Sequence, residues 1–259
     1  MKIVTWNING IRARIEGALA YVREAKPDVL CFQEIKTVDE GFPAEAFADF
    51  GYTVATHGQK GFNGVALLSL HGLEDVTRGL PGDEADAQSR YIEATVTQGL
   101  LSVRVASIYL PNGNPIGTEK FSYKLAWMDR LQAHARALLA SEMPVVLAGD
   151  FNVIPDPQDA KRPAAWVNDA LFQPESRAAF RTLEHLGYLD AIRATHPEPG
   201  IYTFWDYQAG AWQKDDGIRI DFQMLSPQAA DRLTATGIDR FTRSWEKPSD
   251  HVPVWTELA

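Results

Sequence analysis

Lys2–Glu34, KIVTWNINGIRARIEGALAYVREAKPDVLCFQE, is the stretch that decides the fold. Lys2 to Trp6 reads as a short strand, and from about Arg14 to Ala25 the apolar residues Ile15, Leu19 and Val22 fall at helical spacing. Pro27 ends that helix, because the residue before a proline is pushed out of the α region, and Val29 to Phe32 resumes as a buried strand. Strand, helix and strand in succession predict a βαβ-like start with a right-handed crossover. Both strands stop abruptly in polar residues, the first in Asn7 and Asn9, the second in Gln33 and Glu34.

Beyond this start, Tyr52–Thr56, Gly64–Leu70, Tyr91–Thr97 and Leu101–Leu110 are predicted strands, with a hairpin turn at Thr97-Gln98-Gly99. The middle of the chain is therefore expected to be mostly antiparallel. A long helix is predicted over Thr118–Ala140, with Phe121, Leu125, Met128, Leu131, Ala135 and Leu138 on one stripe that packs on a sheet. Pro144 stops it before a buried strand, Val145–Ala148. Pro155–Pro174, rich in Pro, Asp, Ala and basic residues, reads as a long substrate-facing loop. A helix near Ser176–Leu186 and strands near Tyr202–Trp205, Ile218–Leu225, Thr236–Thr242 and Val252–Glu257 complete the chain. There is no low-complexity linker and no fixed repeat. The expected class is α/β (α+β): a four-layer sandwich of two packed, mixed, mostly antiparallel β-sheets flanked by helices, one domain over residues 1–259.

The net charge is −9, from 25 Lys plus Arg against 34 Asp plus Glu, which is the wrong sign for an indiscriminate nucleic-acid coat. A site that gathers carboxylates around divalent cations is less affected, because the metals bring positive charge to a substrate phosphate. Cys31 is the only cysteine, so no intramolecular disulfide is possible, and its run Asp-Val-Leu-Cys-Phe-Gln reads as a packed thiol. Asn7 and Asn9 come too soon for a signal peptide, and no later stretch is apolar for long enough to span a bilayer. A monomer in a reducing cytoplasm, away from membranes, is the expectation.

Polar strand endings recur: Trp6-Asn7-Ile8-Asn9, Phe32-Gln33-Glu34, Tyr109-Leu110-Pro111-Asn112, Gly149-Asp150-Phe151-Asn152, Arg219-Ile220-Asp221 and Ser249-Asp250-His251. Singly, each is an ordinary turn former. Asn7 and Asn9, like Asp150 and Asn152, are two apart, so an extended backbone aims each pair to one face. Pro248 and Pro253 bracket Asp250 and His251 in a loop that lets both point inward. Glu34, Asp150, Asp221 and Asp250 with Asn7, Asn9 and Asn152 form an oxygen-rich ligand set suited to Mg²⁺ or its substitute Mn²⁺, whereas zinc wants more histidine or thiolate.

Phosphodiester hydrolysis needs an aligned water, relief of charge on the nonbridging oxygens and a stabilised leaving oxygen. The inventory supplies each: Asp150 to take or orient the water's proton, a metal for the leaving oxygen, and His251 to donate to the phosphoryl group. Asp221 is placed to fix the tautomer of His251, as a triad carboxylate does.

These residues resemble the exonuclease III and apurinic endonuclease branch of the endonuclease, exonuclease and phosphatase superfamily. The matching segments are Thr5–Arg12, Val29–Lys36, His57–Ala66, Leu147–Asn152, Tyr202–Tyr207, Gly217–Asp221 and Glu246–Pro253, in the family's order from end to end. Gly-Asp-Phe-Asn and Ser-Asp-His mark the superfamily; Phe-Trp-Asp-Tyr and Glu-Lys-Pro-Ser-Asp-His resemble the exonuclease III branch. The resemblance implies Glu34 as main metal ligand, with Asn7, Asn9 and Asp250 close by and Asp150, Asn152 and His251 around the water or a second metal. It implies Tyr109 and His251 at the scissile phosphate, and Phe204, Trp205 and Ile220 lining a pocket for a flipped-out abasic sugar or terminal nucleotide. Double-stranded DNA with abasic sites or 3′ ends is the implied partner.

Arg12, Lys36, Lys60, Arg90, Lys120 and Lys124 read equally as solvated charges, with Lys60, Arg90 and Lys120 as the candidates for DNA contact. Asn112, in a DNA-facing segment, stands where relatives often carry Gln, and Gln208 where an Arg is common. Two rival readings stay open. One is a superfamily enzyme acting on a phospholipid or inositol phosphate; the other is a non-cutting relative that binds damaged DNA.

Overall fold

A computed structural model describes residues 1–259. β1 (Lys2–Asn7), α1 (Ile15–Ala25) and β2 (Val29–Gln33) form the expected crossover, with β1 and β2 paired in parallel. A short α2 (Ala44–Ala48) leads to β3 (Thr53–His57) and β4 (Val65–Ser69), followed by β5 (Glu74–Arg78), β6 (Tyr91–Gln98) and β7 (Leu101–Tyr109). α3 (Glu119–Leu139) crosses from β7 to its parallel neighbour β8 (Val145–Asp150). Then come α4 (Pro174–Leu186), β9 (Leu189–Asp190), α5 (Ala191–Thr195), β10 (Asp221–Leu225), α6 (Pro227–Ala230), β11 (Leu233–Ile238) and β12 (Val254–Leu258). One six-stranded sheet has the order β11-β12-β1-β2-β4-β3, the other β5-β6-β7-β8-β10-β9. The remaining pairs are antiparallel, so the expected mixed, mostly antiparallel sandwich is what forms.

Period-two alternation builds the layers. Leu30 and Phe32 of β2 face outward onto α1 and α2, in a cluster with Tyr21, Val22 and Phe47, while Val29 and Cys31 face the other sheet. On the second sheet, Ile108, Leu147, Phe222 and Met224 pack under α3 and α4 against Trp127, Met128, Leu131 and Phe180. Val103, Val105, Val146, Ala148 and Leu225 meet the first sheet across the central layer. Both faces of both sheets are covered, which gives the four layers.

The central layer changes character along the strands. Its inward rows run Ile3-Thr5-Asn7, Cys31-Gln33, Val105-Ser107-Tyr109, Val146-Ala148-Asp150 and, along β10 in reverse, Leu225-Gln223-Asp221. Gln33 donates to Thr5 Oγ1 (3.0 Å) and to Ser107 Oγ of the opposite sheet (2.9 Å). Gln223 donates to the carbonyls of Ile3 (2.9 Å) and Val254 (3.0 Å) and accepts from Thr256 (2.6 Å). These buried amides are hydrogen-bonded, which offsets the cost of desolvating them, so they bridge the sheets and form a polar floor for the residues beyond them.

Some boundaries differ from expectation. β5 is an edge strand paired only with β6, and its sequence Glu-Asp-Val-Thr-Arg, facing solvent, lacks the apolar alternation that marks a strand. Tyr202–Trp205 is not a strand: Phe204 makes one bridge to Ile218 and one to His251, with no ladder. The strand expected at Thr236–Thr242 lies at Leu233–Ile238, because Asp239 accepts from Tyr21 (2.7 Å) and Trp255 (3.2 Å) and turns the chain. Likewise β10 begins at Asp221, not Ile218. Pro155–Pro174 is a loop with short 3₁₀ turns, tied down where Arg219 donates to the buried carboxylates of Asp159 (2.8 Å) and Asp190 (2.6 Å).

Candidate active site

At one end of the central layer the polar rows converge. β1, β2, β7 and β8 deliver Asn7, Glu34, Tyr109 and Asp150 from their C-terminal ends. β10 runs antiparallel to β8, so it delivers Asp221 from its start, directly opposite Asp150 in the ladder. His251 arrives on the loop before β12, fastened where Ser249 Oγ donates to the Asn7 carbonyl (2.6 Å) and accepts from the His251 amide (3.2 Å).

The paired residues do converge, although not on extended backbone. Asn9 and Asn152 have φ of 49° and 47°, and their amides donate to Asn7 Oδ1 (3.0 Å) and Asp150 Oδ1 (2.9 Å). Each pair is a side-chain-closed turn past the strand end, a conformation Asn accepts at low cost. Gly149 sets up the second: a Cβ there would stand 2.0 Å from the Ile108 carbonyl oxygen.

Asn7 Nδ2 donates to both Glu34 Oε1 (2.9 Å) and Asp150 Oδ2 (2.9 Å), joining carboxylates from different sheets. His251 Nδ1 lies 2.9 Å from Asp221 Oδ2, and its Nε2 lies 3.7 Å from Asp150 Oδ2. Asn9 Nδ2 donates to Asp250 Oδ1 (3.0 Å). Lys36 Nζ bridges Glu34 Oε2 (2.9 Å) and Asn9 Oδ1 (2.5 Å). Asn152 Nδ2 donates to the Leu110 carbonyl (2.9 Å), and its Oδ1 accepts from the exposed Asn112 (3.3 Å). Glu34, Asn7, Asp150, His251 and Asp221 are thus joined in one row, with Asn9 and Asp250 reached through Lys36 and Asn152 through its main-chain bond to Asp150.

Burial raises the Asp150 carboxyl above its ordinary range, with Asp221 and Glu34 adding to it against the opposing pull of His251. Burial disfavours His251's charge, yet Asp221 and Asp150 outweigh it and raise its proton affinity. Tyr109 is pushed up by burial and by the charges of Glu34 and Asp150, so its phenol stays protonated. Burial works against the charge of Glu34, but Lys36 and the Asn7 bond hold it below its usual value. The site thus pairs a carboxylate of raised basicity with two proton donors, the inventory for general acid–base chemistry near neutral pH.

Glu34, Asp150 and His251 offer ligand atoms all within 4.8 Å of one another. The donor set is carboxylate and amide oxygen with one imidazole, and Lys36 Nζ already places a positive charge between Glu34 and Asn9. Hard divalent cations fit such a set.

Two depressions flank this point. One, of about 340 Å³, is lined by Trp166, Phe204, Ile218 and the rim residues Arg162 and Asp216. The Phe204 ring lies 4.9 Å from that of His251. Trp205 does not line it: fully buried, it packs against Tyr202 and Trp212 and donates to Asp215 (3.1 Å), because neighbouring residues of an extended segment point to opposite sides. Ile220 lies in the apolar cluster beneath, and the wall is Ile218. The other depression, of about 670 Å³, is lined by Phe62, Gln88, Arg90, Asn112, Lys120 and Tyr123. Lys60 is exposed outside that lining. Arg90 also braces Tyr109, stacking at 4.8 Å from its ring and donating to its carbonyl (3.3 Å). Arg12 is occupied by Gly41 and Thr37, and Lys124 is fully buried. Gln208 is exposed at the pocket edge.

The profile of the endonuclease/exonuclease/phosphatase family matches residues 4–251, the span that contains every residue just described. The chain belongs to that family. Among family members, exodeoxyribonuclease III of Haemophilus influenzae is 35% identical over 266 residues, covering both chains fully. The DNA repair nuclease APEX1 of Danio rerio is 32% identical over the whole of this chain and 82% of its own. A structure of the 3′ phosphatase NExo from Neisseria bound to product DNA hairpin superposes with a TM-score of 0.95 at 36% identity, over 100% of this chain and 99% of that one. An AP endonuclease from Archaeoglobus fulgidus gives 0.93 at 37% identity over the same shares. These likenesses put the chain in the exonuclease III branch of the family, as a divalent-metal-dependent hydrolase of nuclease type. No helix is long and apolar enough to cross a membrane.

Proposed function

We propose that this chain is a Mg²⁺-dependent DNA repair phosphodiesterase acting on duplex DNA. It trims 3′ ends as a 3′-to-5′ exonuclease, incises at abasic sites and clears blocking 3′ groups, leaving 3′-hydroxyls. The observation that carries this reading is the buried Asp221–His251–Asp150 row beside Glu34, open between an apolar pocket and a groove with Arg90 and Lys120.

Asp150 and Asn152 orient an attacking water, and Asp150 takes its proton as the water oxygen adds to phosphorus and the bond to the 3′ oxygen breaks. His251, oriented and kept protonated by Asp221, and Tyr109 donate to the phosphoryl oxygens. Glu34, Asn7, Asn9 and Asp250 would hold Mg²⁺, or Mn²⁺ in its place, which would neutralise charge on the phosphate and the leaving oxygen. Phe204 and Ile218 receive the flipped sugar or terminal nucleotide, while Asn112, Arg90 and Lys120 hold the backbone alongside. Both sheets contribute to the site, so residues 1–259 act as one catalytic domain; its single reduced thiol, buried in β2, is compatible with a monomer working in a reducing cytoplasm.

Asp150→Asn tests the assignment. Turnover falls about 10²–10⁴-fold while binding to a DNA duplex stays measurable. Near-normal turnover removes Asp150 from its role, and hydrolysis of phospholipid or inositol phosphate without any of DNA supports the rival family activity.

A further inference from the structure

Lys124 lies on the stripe of α3 that faces the sheet, four residues before Met128, and is fully buried. Its Nζ donates to three main-chain carbonyls: Pro111 (3.2 Å), Asn112 (3.2 Å) and Asn152 (2.5 Å). An ammonium is the one side-chain head with three donors on a single atom and no acceptor, and here each donor has a partner. The carbonyls belong to two separate segments, the one after β7 that carries Asn112 and the one after β8 that carries Asn152. The loop accommodates the lysine stem at Gly113, where a Cβ would stand 2.5 Å from Lys124 Cδ.

We infer that Lys124 is a positioning residue whose buried ammonium gathers the Pro111–Asn112 and Asn152 carbonyls and thereby aims the side chains of Asn112 and Asn152 into the site. With the carbonyls drawn toward α3, the two amides are left facing one another and the water position beside Asp150. Asn112 Nδ2 donates to Asn152 Oδ1, and Asn152 Nδ2 returns to Leu110. Both of these links join the two segments, as does the Leu110 amide to the Asp150 carbonyl (2.9 Å), and the lysine adds three charge-assisted bonds to them from a single buried atom. The effect on turnover rests on the function proposed above; the effect on the asparagines does not.

The test uses Lys124→Met, which keeps the stem and removes the donors, and Lys124→Ala. In Lys124→Met the side-chain amide NMR resonances of Asn112 and Asn152 move and broaden, whether or not the chain cuts DNA. On a hairpin with a 3′-phosphate, kcat falls about 10²-fold, the scale of a misplacement near 1 Å, while KM stays within about threefold. n-Propylammonium restores kcat of Lys124→Ala at least about tenfold and n-propanol does not, because only the former brings three donors to the gap. Unchanged asparagine resonances, or kcat within about threefold of the wild type, overturn the inference. If Lys124→Met does not fold, Gly113→Ala reads the same tie from the loop side: its methyl meets the lysine stem, the asparagine resonances move, and their constancy overturns the inference. A wild type that leaves all DNA intact refutes the function and leaves the resonance test standing.

Discussion

Asp221 and Asp150 face each other as register partners on β10 and β8, and His251 spans them, 2.9 Å from the first and 3.7 Å from the second. Two buried carboxylates in adjacent strands repel unless a cation or a proton lies between them, and the imidazolium is that cation. Asp221 grips Nδ1, which leaves Nε2 facing Asp150 and the substrate side. Asp221→Asn should remove the charge that keeps the ring protonated and holds it in place, and reduce kcat about 10²–10⁴-fold with KM little changed. Steady-state kinetics on a 3′-phosphate hairpin check it; a kcat within a few-fold of wild type disconnects Asp221 from the chemistry.

Phe204 and Trp205, adjacent in sequence, separate pocket from core. Phe204→Ala is expected to lower kcat/KM on abasic or 3′-end duplexes at least about tenfold with the thermal midpoint nearly unchanged. Trp205→Ala, emptying a fully buried ring site, should cost about 3–5 kcal/mol of stability instead. Paired calorimetry and kinetics decide it, and the opposite pattern would return Trp205 to the pocket.

Away from the site, Glu93 couples stability to pH. Burial opposes its charge, but His134 and Arg104 outweigh that and bring the carboxyl down from the ordinary 4.5 to about 2. A carboxyl depressed on folding contributes stability that is complete above the unfolded value and is lost as pH falls toward the folded one, here between about 4.5 and 2, and amounts to roughly 3 kcal/mol. Wild type should therefore exceed Glu93→Gln in urea midpoint at pH 6, and the gap should narrow steadily as pH falls from about 4.5 toward about 2. A gap that is constant with pH contradicts the assignment.

Much of this was legible in the sequence because the sandwich buries both faces of its strands. Val29–Phe32 and Val145–Ala148 announce themselves as apolar runs, and the six polar endings betray where those runs stop. The converging carboxylates and His251 followed from that pattern. Other features depend on contacts that no local period encodes. β5 is an edge strand with a polar sequence, and the direction of Trp205 is set by the single bridges at Phe204. The extended geometry read for Asn9 and Asn152 failed because their own amides close turns with φ above zero. Lys124 looked like one more solvated charge, yet its place among the apolar positions of α3 was the available sign of burial. Ile220 came to the pocket from the family resemblance alone, and the lining residue is Ile218, two positions earlier in the same apolar cluster.

The measurement that tests the central claim most directly is a product analysis on matched DNA duplexes carrying an internal abasic site, a 3′-phosphate or a plain recessed 3′ end, each with Mg²⁺ and with EDTA. Cleavage of the duplexes in Mg²⁺, leaving 3′-hydroxyl ends and abolished by EDTA, is the predicted result. Intact DNA on every duplex in Mg²⁺, or cleavage undiminished by EDTA, would contradict it.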